Sequence, residues 1–271
     1  MSKNLPQRAG ALLEALRERR PLVHHLTNMV VMNFTANVTL ALGASPVMAP
    51  CSEEVEEMVS LAGALLLNIG TLDPPLVESM IRAGRKAAEL DVPVVLDPVG
   101  AGATRLRTEA AARILREVPV RVLRGNAGEV LTLAGREGRV QGVDSLETAE
   151  GREEVLAAFA RDRNLTLAVT GPVDFLTDGT RRIRVHGGHP LMARVTGTGC
   201  AATTATACFL AVAPQAPLEA AAAALAAFGL AGERAASRSA GPGTFVPHLL
   251  DALADLERSD LEEEARLEAV S

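Results

Sequence analysis

The chain has 271 residues, an apolar fraction of 48% and a formal charge of −6. No linker-like stretch divides it, so a single α/β domain over residues 1–271, with a sizeable core, is expected. The negative charge argues against a broad phosphate-backbone footprint, and six Phe with neither Trp nor Tyr leave little on which to stack single-stranded bases.

Residues 6–19, with Leu12, Leu13 and Leu16 on one stripe, predict an amphipathic first helix that Pro21 ends. Leu22 to Asn28 predicts a strand with polar residues at its end, and Val30 to Leu42 an apolar helix closed by Gly43. Pro46 to Ala49 predicts a short strand. Ser52 is a plausible N-cap for an acidic-fronted helix through Val59. Ala64 to Gly70 predicts a buried strand, and Pro74 starts a helix to about Leu90. Val92 to Leu96 predicts a strand ending at Asp97; a helix over 106–117, the Arg124 strand and a short helix from Ala127 follow. Residues 135–145 read as a loop, 147–162 as a helix, and Leu165 to Val169 as a strand ending at Thr170. This alternation predicts a mostly parallel sheet covered by helices on both faces.

The pattern then changes. Asp178-Gly179 between Asp174-Phe175-Leu176-Thr177 and Arg181-Arg182-Ile183-Arg184-Val185 predicts a hairpin, hence an antiparallel edge. Pro217 to Glu233 reads as an Ala-rich packing helix, Gly241-Pro242-Gly243 as a break before a final helix, and the acidic tail 257–268 as a solvated helix face.

Val195 to Cys200 carries two glycines around Thr198 and leads into an apolar segment of helical length. A helix starting there points free N–H groups and its dipole at the turn, which suits a phosphate; a ligand-free glycine loop before a core helix is the other reading. Asp97, Arg124 with Asn126 and Glu129, and Thr170 with Gly171 all follow apolar runs. They therefore fall along the carboxyl edge of a parallel sheet, where ligands bind.

Taken singly, Asp97 reads as a loop cap, Asn126 and Glu129 as helix-start chemistry, and Arg124 as half of an ion pair. Taken together, Asp97 and Glu129 offer oxygen ligands suited to magnesium, and Arg124 can span phosphate oxygens. Met48 could be core or pocket wall. Cys200 could be a small buried hydrophobe. At a helix N-terminus it could instead carry thiolate character and act as nucleophile or base. Adjacent His24 and His25 face opposite ways in a strand, and His186-Gly187-Gly188-His189 reads as turn chemistry rather than zinc binding. Three cysteines without metal-ligand spacing, no signal-peptide pattern and no bilayer-length apolar run lead us to expect a cytoplasmic protein.

His25-Leu26-Thr27-Asn28, Asp97-Pro98-Val99-Gly100, Gly125-Asn126-Ala127-Gly128-Glu129 and Gly197-Thr198-Gly199-Cys200-Ala201 together resemble the hydroxyethylthiazole kinases of the ribokinase-like superfamily. The resemblance runs from about residue 10 to 255. It implies a three-layer α/β/α sandwich. The implied activity is ATP- and Mg2+-dependent phosphorylation of the thiazole's primary alcohol in thiamine salvage. It also implies a homotrimer with active sites at subunit interfaces. By motif, Met48 and Gly197 would contact the thiazole with Asn28 nearby, Arg124 and Thr170 the ATP, and Asp97 and Glu129 the metal. Gly197, Thr198, Gly199 and Cys200 would carry catalysis. Sugar kinases of the superfamily have Asp where this chain has Cys200, which narrows the resemblance and weakens the case for strong base catalysis. Another small alcohol as substrate, a nucleotide-dependent dehydratase and a non-catalytic nucleotide-binding regulator remain as alternatives.

Overall fold

The computed structural model describes residues 4–135 and 149–270. One nine-stranded sheet, in the order β2-β1-β3-β4-β5-β6-β7-β8-β9, runs through it. β1 (Leu22–Leu26), β2 (Ser45–Val47), β3 (Ala64–Asn68), β4 (Val94–Asp97), β5 (Val122–Asn126) and β6 (Thr166–Thr170) are parallel. β7 (Val173–Thr177), β8 (Arg182–His186) and β9 (Arg266–Val270) continue it antiparallel. The chain steps one way from β1 to β2 and the other way to β3. The order therefore reverses at β1, and a crevice opens at the carboxyl ends there.

Two helical layers cover the sheet, making a three-layer α/β/α sandwich. One layer holds α3 (Val55–Leu61), α4 (Pro74–Glu89), α5 (Arg105–Glu117), α6 (Ala127–Gly135) and α7 (Glu153–Arg163). The other holds α1 (Leu5–Arg19), α2 (Met32–Leu42), α8 (Thr198–Val212), α9 (Pro217–Arg238), α10 (Pro242–Asp255) and α11 (Arg258–Glu264).

The helix ends follow local chemistry. Asp73 caps α4 by accepting from Leu76 N at 2.7 Å, and Gly43, at φ 99°, closes α2. Helix α8 is apolar all round and buried from Ala201 to Leu210, as a helix packed between a sheet and other helices must be. Its Thr204 and Thr206 hydroxyls reach back to carbonyls four residues earlier, which satisfies them inside the core.

Three expectations differ from what is observed. Ser52 is not the cap of α3: Glu54 occupies that position without a side-chain bond, and the helix starts at Val55. The helix placed over 147–162 begins at Glu153, and the loop read over 135–145 lies, apart from Gly135, outside the described residues. The tail 257–268 is only partly helix. Its last residues form β9, which pairs with β8 from Arg266↔His186 to Val270↔Arg182 and tucks Leu267 against the core. Pairing there supplies partners for β8, whose edge would otherwise be bare.

Candidate active site

Strand parity brings the polar strand ends together. Leu66, Val95, Val122 and Ala168 point into the α8 layer, so Asn68, Asp97, Arg124 and Thr170, each two residues on, point the same way. Asn68 and Asp97 are register partners on neighbouring strands. Asn68 Nδ2 donates to Asp97 Oδ2 at 2.8 Å, Thr203 Oγ1 from α8 donates to the same oxygen at 2.8 Å, and Arg124 Nη1 lies 3.8 Å from it. Asp97 Oδ1 is buried without a hydrogen-bond partner. Burial pushes Asp97 up to about 6; the Arg124 guanidinium opposes this shift and the Glu129 carboxylate adds to it. Arg124 also donates to Thr170 Oγ1 at 2.5 Å.

The turn before α8 is built from glycine for two reasons. Gly197 sits at φ 86°, and a Cβ there would meet Val31 Cγ1 at 2.7 Å. The first intrahelical bond of α8 is Ala201 N to Gly197 O at 2.8 Å, which leaves the amides of Thr198, Gly199 and Cys200 without helical acceptors. The Thr198 hydroxyl is turned back onto Met192 O and Val195 O, at 2.8 and 3.2 Å, and closes the preceding loop.

Glu129 and Asn126 form a reciprocal cap: Asn126 N donates to Glu129 Oε2 and Glu129 N to Asn126 Oδ1, both at 2.9 Å. Glu129 Oε1 accepts from Gly100 N at 2.8 Å, which pins the loop after Asp97. Arg107 staples that loop to the one after β3, donating to Val99 O at 2.9 Å, Ile69 O at 3.1 Å and Gly70 O at 2.9 Å.

Two cavities result. The smaller, about 340 Å3, is lined by Asn28, Asp97, Arg124, Glu129, Gly197, Gly199 and Cys200 among others. The larger, about 630 Å3, lies towards the hairpin; Thr170, Asp174 and Thr198 line it with apolar Pro190, Met192, Leu225 and Phe228. Arg124 and Gly199 belong to both.

The profile of the hydroxyethylthiazole kinase family matches residues 13–259. The chain belongs to this family. A hydroxyethylthiazole kinase of Desulfosudis oleivorans is 54% identical over 266 residues, covering 97% of each chain. The structure of a hydroxyethylthiazole kinase protein from Pyrococcus horikoshii superposes with a TM-score of 0.90 at 46% identity, covering 97% of this chain and 99% of that one. A Staphylococcus aureus pyridoxal kinase in complex with AMP-PCP and pyridoxal shares the fold at 17% identity and a TM-score of 0.64, covering 92% of this chain and 98% of that one.

In this hydroxyethylthiazole kinase family member, the thiolate reading of Cys200 needs correction. Cys200 is not a thiolate. Burial, then the neighbouring Asp97 carboxylate, push its thiol up to about 11, overriding the helix N-terminus, while Asn68 and Asn28 pull weakly the other way. Met48 directly follows β2, half-buried at the sheet's edge, and lines neither cavity. The paired histidines do diverge: His24 Nε2 bonds Ala49 O at 2.9 Å and His25 Nε2 meets Thr39 Oγ1 at 3.2 Å, with burial driving His25 down to about 3. His189 Nδ1 accepts from Leu191 N at 3.2 Å, capping a 3-10 turn over Pro190–Arg194.

Sequence reasoning passed over Asn68, Thr203 and Arg107. Asn68 carries the same signal as Asp97, a polar residue closing an apolar strand, and could have been found by it.

The donor set fits a magnesium ion. Asp97 Oδ1 lacks a partner, Glu129 lines the same cavity, and a cation would offset their mutual repulsion. No group of three or more His, Cys, Asp or Glu able to hold a metal occurs among the described residues. Water and substrate phosphate would complete the shell, as is usual for magnesium.

Proposed function

We propose that the chain transfers the terminal phosphoryl group of ATP to the primary alcohol of 4-methyl-5-(2-hydroxyethyl)thiazole, giving the thiazole phosphate and ADP in thiamine salvage. The observation that carries this reading is the junction of the two cavities at Arg124 and Gly199, with Asp97 and Glu129 beside it.

ATP takes the larger cavity. Leu225, Phe228, Met192 and Pro190 enclose the base, as a chain without Trp or Tyr requires, and Thr170 and Arg124 receive the phosphates at the inner end. The free amides at Thr198, Gly199 and Cys200 face the charge on the transferring group. Asp97 and Glu129 hold Mg2+, which when bound neutralises phosphate charge.

The alcohol approaches from the smaller cavity, where Gly197, Asn28 and Cys200 orient its hydroxyl. Met48 lines neither cavity of its own subunit, so its contact with the thiazole would be made across the expected subunit interface. A protonated Cys200 cannot remove the hydroxyl proton at the outset. A loose transition state tolerates late proton loss, so positioning and charge neutralisation supply most of the rate.

The protein is read as one cytoplasmic kinase domain, supported by the continuous sheet and by the absence, among the described residues, of any helix long and apolar enough to cross a membrane. The expected homotrimer, with active sites between subunits, is supported by Met29, Val30 and Leu40, which stay 76%, 65% and 57% exposed on the segment from β1 through α2. Coupled detection of ADP across a panel of small alcohols tests the function. The thiazole alcohol should give the highest kcat/KM; a preference for a hydroxymethylpyrimidine would overturn the substrate.

A further inference from the structure

A chain of buried side chains runs beneath the phosphoryl site, and its direction is fixed by backbone donors to Asn28 and Asn68. Val30 N donates to Asn28 Oδ1 at 3.1 Å, which turns Asn28 Nδ2 towards Asn68 Oδ1 at 2.9 Å and Cys200 Sγ at 3.5 Å. Gly70 N donates to the same Asn68 Oδ1 at 2.9 Å. With two donors on its oxygen, the Asn68 amide has one orientation, and its Nδ2 must point at Asp97 Oδ2. From the opposite side, Thr203 has two acceptors in reach, Asp97 Oδ2 at 2.8 Å and Gly199 O at 3.3 Å. Asn68, Asp97 and Thr203 are all fully buried. In an interior of that kind an unpartnered amide or hydroxyl is costly, so these polar residues persist as a connected set.

A carboxylate rotates about its last bond with little preference of its own. Two donors on one oxygen stop that rotation and leave the other oxygen bare. We propose that Asn68 and Thr203 are positioning residues which hold Asp97 Oδ2 between them, so that Oδ1 alone is presented to the cation. This rests on the reading of Asp97 as a metal ligand given above. Thr203 also ties α8, which carries the free amides, to the carboxylate. Asn68 ties the alcohol-side Asn28 to it. One network thus sets the relative placement of the amide turn, the cation and the acceptor.

The test reads metal coupling rather than turnover. The dissociation constant of AMP-PCP is measured by calorimetry on the full chain, once in EDTA and once in saturating Mn2+, and the ratio gives the gain due to the metal. Thr203→Val keeps the shape and removes the hydroxyl, Thr203→Ser restores it, and Asn68→Ala removes the amide. Thr203→Val and Asn68→Ala should each cut the metal gain by about 10- to 100-fold. Their metal-free affinity should match the parent, and Thr203→Ser should recover the parental gain. Should Asn68→Ala fail to fold, the Thr203 pair decides alone. A parental metal gain in Thr203→Val overturns the proposal, as does an equal loss of affinity with and without metal. A parent that phosphorylates the alcohol while its variants keep the gain refutes the positioning role only. A parent with neither metal gain nor phosphorylation refutes the reading of the site with it.

Discussion

The Arg124 guanidinium lies against Gly199 so closely that a Cβ on residue 199 would come within 3.0 Å of Nη1. These two residues form the boundary between the cavities, so on the proposed reading the polyphosphate would pass between a fixed cation and a bare stretch of helix N-terminus.

Substitution of the two glycines should therefore separate stability from binding. Gly197→Ala meets both a left-handed backbone and Val31, and should lose about 1–3 kcal/mol of stability along with activity. Gly199→Ala meets only a movable guanidinium; its melting temperature should hold while KM for ATP rises. Thermal melts and ATP titrations of both variants check this, and equal destabilisation would contradict it.

Arg124→Lys should lower kcat/KM for ATP by about 10- to 100-fold, since an ammonium cannot reach Thr170 and span phosphate oxygens together. Thr170→Val should cost less, because it removes one partner of a guanidinium that stays in place. Steady-state kinetics at varied ATP measures the order; a larger loss in Thr170→Val would be inconsistent with Arg124 as the phosphate contact.

Cys200 should behave as a protonated thiol, with burial holding it near 11. Iodoacetamide at pH 7.5 should label the exposed Cys51 well before Cys200, as peptide mapping would show. Cys200→Ala should lose no more than about 10²-fold in kcat, the low end of general-base assistance. A loss beyond 10⁴-fold in a folded, substrate-binding enzyme would restore the thiol to base catalysis.

Asp97 makes the metal-free protein sensitive to pH. Its folded value of about 6 lies above the ordinary 3.8, so the folded chain binds the proton more tightly than the unfolded chain does. Its contribution to stability is therefore greatest at low pH and falls as pH rises from about 4 to 6. Between pH 4.5 and 7.5 in EDTA, the unfolding free energy of Asp97→Asn should gain on the parent by about 2 kcal/mol. Denaturant titrations at the two pH values measure it; a pH-independent difference would contradict the burial argument.

Much of this site was legible in the sequence because parallel strands end polar only where something other than core is needed. Asp97, Arg124 and Thr170 stood out after their apolar runs, and the Gly197–Cys200 turn stood out by its glycines. Asn68 obeys the same rule but reads as an ordinary strand end, since an uncharged amide announces nothing until its partners are known. Thr203 was hidden in an Ala- and Thr-rich helix that looked like packing alone. The thiol shift at Cys200 was illegible in principle: a local rule about helix ends was outweighed by burial in the folded chain and then by a carboxylate 103 residues earlier in sequence. The strand at Arg266–Val270 was masked by its acidic neighbours, and only its partner β8 gives it a reason to extend.

The central claim is that the transferring phosphoryl group sits where the amides of Thr198, Gly199 and Cys200 meet the cation held by Asp97 and Glu129. A crystal structure with ADP, Mg2+, aluminium fluoride and the thiazole alcohol measures this directly. The account predicts the planar fluoride against the Gly199 amide, with the cation on Asp97 Oδ1 and the alcohol oxygen on the side of Asn28 and Cys200. A fluoride bound away from that turn, or a cation that touches neither carboxylate, would contradict it.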